Sequence, residues 1–163
     1  MILAMVGTQK LPFTRLLREI DELIIHADIS DEVIVQTGST KYEQKKFISY
    51  NYIDEQSLLE YINKAEVIIT HGGCGSIFNA ILAGKKIIAV ARLSKYGEMV
   101  DDHQLELITK LSKDGYILNG SDSLIDTWNL VHSFNPRKYD FAHNIVPNLK
   151  KYLDTFYIAP SIL

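Results

Sequence analysis

The chain holds one cysteine, four prolines and no apolar run long enough to cross a bilayer. A single thiol cannot close an internal disulfide, so the fold stands on its core alone, and a reducing cytoplasm suits it. The longest apolar stretches, Val67–Thr70 and Ile87–Ala91, fall far short of the roughly eighteen residues a membrane span needs. The N-terminal MILAMVGTQKLPF lacks a basic region before its short apolar run and a small-residue cleavage site after it. It therefore reads as the start of a fold rather than as a signal peptide. A basic excess is missing too: 17 Lys and Arg against 20 Asp and Glu give a net charge of −3. Generic binding to a nucleic-acid backbone is disfavoured on that count. Five histidines, at 26, 71, 103, 132 and 143, are scattered without close ligand spacing, so no metal is expected.

What is present is a globular composition: 163 residues, 47% hydrophobic and 23% charged. No linker or repeat interrupts it, so residues 1–163 are expected to form one domain. Short β-branched runs alternate with longer amphipathic ones. Strands are expected at Ile2–Val6, Val33–Gln36, Lys46–Tyr52, Val67–Thr70, Ile87–Ala91 and Tyr116–Leu118. Helices are expected after Pro12, after Asp54, through Ile77 and Ile81, from about Asp101 to Asp114, and from a cap at Ser121 or Asp122 through Val131. A last amphipathic segment covers about Val146–Tyr157. Strands of continuous apolar character separated by helices predict an α/β fold, a Rossmann-like, doubly wound parallel sheet of about six strands. Ligands in such sheets bind beyond the carboxyl ends of the strands, where strand order reverses.

The most informative stretch follows the fourth expected strand: His71-Gly72-Gly73-Cys74-Gly75-Ser76. Glycines let backbone N–H groups approach an anion, and the helix that follows adds unpaired donors and its positive dipole end. A phosphate can be held there without a lysine. A plain packing turn is the competing reading. The stretch has no Lys-Ser/Thr pair, so it is not an ATP or GTP P-loop. A dinucleotide fingerprint would need its third glycine where Phe78 stands, although Arg92 lies where an NADP phosphate contact would fall. Ser76 lacks the flanking glycines of a nucleophile elbow. A phosphatase-type cysteine would need an arginine where Ala80 stands, so Cys74 reads as a small loop residue.

A second cluster follows the fifth expected strand. Arg92 and Lys95 can approach a diphosphate, while Glu98, Asp101, Asp102, His103 and Gln104 are a dense set of hydrogen-bonding groups suited to sugar hydroxyls. The alternative is an acidic helix start facing solvent.

Three stretches together carry a resemblance: Val6-Gly7-Thr8 with Pro12–Leu17, His71–Ser76 through Ala83–Lys86, and Gly97–Glu98 to Asp102–Leu107. In this combination the chain resembles the glycosyltransferase family 28 C-terminal domain, the donor-binding half of a GT-B enzyme. Its length is similar to the small soluble subunits of split transferases, and the Arg92–Gln104 loop looks nearer the bacterial capsule and exopolysaccharide branch, often β-1,4-galactosyltransferases, than the eukaryotic N-acetylglucosamine branch. The resemblance implies a UDP-sugar, UDP-galactose or UDP-N-acetylglucosamine, as substrate, with no cofactor. It implies that Gly72, Gly73, Gly75 and Ser76 hold the diphosphate, flanked by Gly7, Thr8, His71 and Cys74. His103 and Gln104 would face the donor sugar, with Arg92, Glu98 and Asp102 around it, and Ile53 would contact the uracil edge. Many relatives carry Glu where this chain has Asn79, so the ribose contact would lose charge-assisted bonds.

A GT-B transferase has two lobes, and this chain supplies one. The resemblance therefore implies a membrane-anchored partner that binds a lipid-linked acceptor and provides the general base, with His71 as a candidate on this chain. The expected location is the cytoplasm, at the inner face of the membrane. From about residue 145 the apolar load of Ile145, Val146, Leu149, Leu153, Phe156 and Tyr157 suits either packing on the sheet or docking to that partner. Transfer would proceed with inversion, the glycine loop and Arg92 stabilising the departing UDP. A bulky residue at Gly73 is expected to abolish UDP binding without unfolding the domain. A non-catalytic nucleotide-sugar-binding subunit, an NAD(P)-dependent enzyme and a pure interaction module are the competing readings.

Overall fold

The computed structural model describes residues 1–43 and 46–139. Among these residues there are six strands, β1 (Ile2–Met5), β2 (Val33–Gln36), β3 (Ile48–Tyr50), β4 (Val67–His71), β5 (Lys86–Val90) and β6 (Leu118–Asn119), and five α-helices. These are α1 (Thr14–His26), α2 (Glu55–Lys64), α3 (Cys74–Leu82), α4 (His103–Lys113) and α5 (Leu124–Val131). The strands form one sheet in the order β3-β2-β1-β4-β5-β6, and every pairing is parallel.

The all-parallel arrangement follows from the side chains. β1, β2 and β4 are buried at every position, and strands apolar on both faces are stable only when helices cover both. Alternate residues serve two cores. Ile2, Ala4 and Val6 pack with Leu16 and Ile20 of α1 and Trp128 of α5. Leu3 and Met5 turn the other way, onto Ile62 of α2, Ile77 of α3 and Ile108 of α4. The strand order reverses between β1 and β4, so the turns Gly7-Thr8 and Gly72-Gly73 lie side by side at the crevice where such sheets bind ligands.

The elements expected within the described residues are present, with shifted ends. The third strand shrinks from Lys46–Tyr52 to Ile48–Tyr50, an edge strand whose Ile48 and Tyr50 are exposed. The fifth begins one residue early, at Lys86, and the sixth lies at Leu118–Asn119 rather than Tyr116–Leu118, with Tyr116 N donating back to Leu111 O of α4 at 3.0 Å. Asp54 caps α2 as expected, accepting from Ser57 N at 3.0 Å. Ser123, not Ser121 or Asp122, caps α5; Ser121 Oγ accepts from Ala91 N at 3.0 Å and ties that loop to β5. The expected segment Val146–Tyr157, with its docking role, lies outside the described residues. Among the described residues no helix is long and apolar enough to cross a membrane.

Candidate functional site

The three glycines after β4 do different work. A Cβ on Gly72 would lie 2.6 Å from Gln104 Cβ, so this glycine lets α4 pack against the turn. A Cβ on Gly73 would enter the His71 imidazole. Nothing lies within 4 Å of the Cβ position on Gly75. Packing therefore accounts for Gly72 and Gly73 and leaves Gly75 open to solvent on the first turn of α3. Gly73 is the helix N-cap and offers no side-chain cap. The first amide bonded into the helix is Ile77 N, which donates to Gly73 O at 3.1 Å. The N–H groups of Cys74, Gly75 and Ser76 precede it, at the positive end of the helix dipole. Cys74 and Gly75 are exposed and Ser76 half-buried.

His71 is the floor of this turn. It is buried, and its Nδ1 lies 3.3 Å from Met5 O. A carbonyl only accepts, so Nδ1 carries the proton and Nε2 presents a lone pair. Burial, with the Arg92 charge adding to it against the Met5 hydrogen bond, pushes its pKa down to about 4. The ring is thus neutral at pH 7. Its Nε2 faces both Gly7, where a Cβ would sit 2.7 Å away, and Gly73. Gly7 also holds φ at +88°, a conformation that L side chains rarely adopt. The β1 and β4 turns are thereby wedged against one imidazole.

The loop after β5 corrects two expectations. Arg92 does not reach out toward a diphosphate. It is fully buried, donating from Nη2 to Val6 O at 2.7 Å and from Nη1 to Leu11 O at 2.7 Å and Glu98 O at 3.2 Å. Its guanidinium lies 4.8 Å from the centre of the Phe13 ring. Burial lowers its pKa, with Glu98 opposing. Glu98 does not face a sugar either: its carboxylate is buried against Arg15 and the Leu93 amide. The reason is shared. Backbone groups of the loops after β1 and β5, the Val6, Leu11 and Glu98 carbonyls and the Leu93 amide, take these side chains as their partners. Arg15 was not among the expected site residues; the only signal for it was its place in the Pro12–Leu17 stretch.

Gln104 is also buried, its Oε1 accepting from Arg92 N at 3.1 Å. Asp102 and His103 stay exposed at the start of α4. Asp102 Oδ1 accepts from Ser94 N at 2.7 Å, and His103 Nδ1 is paired with the Asp101 carboxylate, whose pKa that bond lowers. Lys95 is exposed and leans over Tyr96. Thr8 is exposed beyond β1 and Asn79 exposed on the second turn of α3. Ile53 is half-buried and packs against the core that α2, α3 and α4 share. The structure thus gathers Gly7, His71, Gly72, Gly73 and Gln104 into one contact set, with Gly75, Ser76 and the start of α4 at its surface. No group of three His, Cys, Asp or Glu able to hold a metal ion occurs among the described residues.

Residues 1–127 match the Glycosyltransferase family 28 C-terminal domain. The chain is 37% identical over 68 residues to the human UDP-N-acetylglucosamine transferase subunit ALG13, covering 42% of this chain and 6% of that protein. It is 28% identical over 100 residues to the Candida albicans protein of the same name, covering 61% of this chain and 31% of that one. The chain therefore spans less than a third of either relative. The solution structure of ALG13 superimposes with a TM-score of 0.59 at 16% identity, covering 93% of this chain and 94% of that one. MurG of Acinetobacter baumannii gives 0.56 at 17% identity, covering 81% and 40%. The calicheamicin glycosyltransferase CalG4 gives 0.55 at 15%, covering 96% and 44%. At these identities the structures establish a shared fold, that of GT-B glycosyltransferase C-terminal domains. With more than half its length matched, this chain belongs to the glycosyltransferase family 28 C-terminal domain family.

Proposed function

We propose that this chain is the donor-binding subunit of an inverting UDP-sugar transferase, working in the cytoplasm with a membrane-anchored partner that presents a lipid-linked acceptor. One observation carries the reading: Gly75, exposed and unneeded for packing, opens the N-terminus of an α3 that no side chain caps, at the switch point of the sheet. A diphosphate seated there is held by main-chain N–H groups that are already oriented. As the bond from the anomeric carbon to UDP breaks, negative charge grows on the leaving phosphate, and fixed dipoles stabilise it without reorganising. His103 and Asp102, at the exposed start of α4, are the groups placed to meet donor hydroxyls. The general base is left to the partner, because the neutral His71 is buried beneath the turn rather than presented to an acceptor.

Both similar relatives described above are named as UDP-N-acetylglucosamine transferase subunits. The donor proposed is accordingly UDP-N-acetylglucosamine, with UDP-galactose the competitor. Nearness to the capsule and exopolysaccharide branch, expected from the Arg92–Gln104 loop, finds no support in those relatives. Calorimetry with UDP, UDP-N-acetylglucosamine, UDP-galactose and NADPH tests the reading. Binding of UDP and of one UDP-sugar without NADPH is expected. Heat with NADPH alone would return the chain to the dinucleotide enzymes.

A further inference from the structure

Residues 91 to 102 join β5 to α4, and from Ser94 to Asp102 only Glu98 is buried. An exposed loop of this length is pinned at its midpoint by a carboxylate. Glu98 Oε1 accepts from Arg15 Nε at 3.1 Å, and its Oε2 accepts from Arg15 Nη2 at 2.9 Å and from Leu93 N at 3.1 Å. Arg15 Nη2 also donates to Ala91 O at 2.7 Å. Burial would lower the Arg15 pKa, but its hydrogen bonds and attraction to Glu98 raise it on balance. An apolar side chain would hold such a loop with less desolvation, and buried ion pairs contribute little net stability. What a two-pronged guanidinium–carboxylate pair adds is a defined distance and orientation.

We infer that Arg15, Glu98 and Arg92 are positioning residues. Together they join the loop after β1 to the loop after β5, and so set the start of α4 against the glycine turn. The contacts run without a gap. Arg15 on α1 holds Glu98; Glu98 O and Leu11 O receive Arg92 Nη1; Arg92 N donates to Gln104 Oε1; and Gln104 packs on Gly72. Gly97, at φ +69°, supplies the reversal that returns Glu98 inward. The inference deepens the reading of the glycine turn as a diphosphate cradle and rests on it: the cradle keeps its shape because α4 is held at one place.

The test uses the full chain labelled with ¹⁵N and the variant Glu98→Gln, which keeps the shape and removes the charge. The amide resonances of Gly72 and Gly73 are expected to move in the unliganded variant, and the Kd for UDP to rise about ten-fold, as a misplaced binding group costs affinity at a distance. A folded Glu98→Gln chain whose glycine amides stay at wild-type positions and whose UDP Kd is unchanged overturns the inference. Should that variant not fold, Arg15→Lys, which keeps the charge and loses the fork, is compared in the same way. Its expected result is the same amide displacement with a smaller loss of affinity, and unmoved resonances overturn the inference. A wild-type chain that ignores UDP would sink the cradle reading, while the ligand-free amide comparison would still decide the positioning role.

Discussion

The turn from β4 into α3 and the loop from β5 to α4 meet where Gln104 packs on Gly72, yet they reach the sheet edge by opposite means. The first is made by leaving side chains out: two glycines admit their neighbours and a third stays open. The second is dense with charge, and its central charged groups turn inward, Arg92 onto Val6 O, Leu11 O and Glu98 O and Glu98 onto Arg15. The charges that look most available for a phosphate build the scaffold instead. At the start of α3 main-chain amides are left facing solvent, while Asp102 and His103 stay exposed at the start of α4. The Arg92 cation lies close enough to the cradle floor to add to the lowering that burial imposes on the His71 pKa.

The contrast is broken most severely by Arg92→Met. Methionine fills much of the space over Phe13 but leaves three carbonyls without their donor. The loss is expected to be about 3 kcal/mol or more, at about 1 kcal/mol or more for each buried unsatisfied group. Urea unfolding measures it; a loss under about 1 kcal/mol would mean that water replaces the guanidinium freely.

The second prediction concerns His71. Its folded pKa of about 4 lies below the unfolded value of roughly 6.5, so the unfolded chain binds the extra proton first as pH falls. Its contribution is whole above about pH 6.5 and is lost as pH falls towards 4. By linkage the difference approaches about 3 kcal/mol. Unfolding free energies of wild type and His71→Gln, measured from pH 7.5 to 4, are expected to converge as pH falls. Parallel curves would show that the imidazole is not held neutral.

Much of this was legible in the sequence and some was not. The six strands and the glycine turn show in apolar runs and in residues that lack a Cβ, both local properties. That His71 supports Gly7 and Gly73, or that Ser121 bonds to Ala91, depends on which strands become neighbours, and the chain order β1-β2-β3-β4 does not reveal that β4 lies beside β1. The burial of Arg92 and Glu98 was illegible for another reason. Charge in a polar loop reads as exposed, and only the fold shows that the Val6, Leu11 and Glu98 carbonyls come together around one guanidinium. Likewise, Gly73 does not provide the expected clean test, because any side chain there displaces His71.

Gly75→Val is the sharper substitution and the smallest of these effects in free energy. Its side chain enters open space, so stability is expected to stay within about 1 kcal/mol of wild type. UDP affinity is expected to fall at least ten-fold, about 1.4 kcal/mol. Undiminished affinity, read by calorimetry, would move the ligand away from this turn.

The central claim, that main-chain amides at the start of α3 hold a pyrophosphate, is met most directly by titrating the ¹⁵N-labelled chain with UDP. The expected result is a saturable displacement of the Gly73, Cys74, Gly75 and Ser76 amide resonances, larger than any on the helices facing α1. Saturation with those four resonances unmoved, and others displaced, would contradict it.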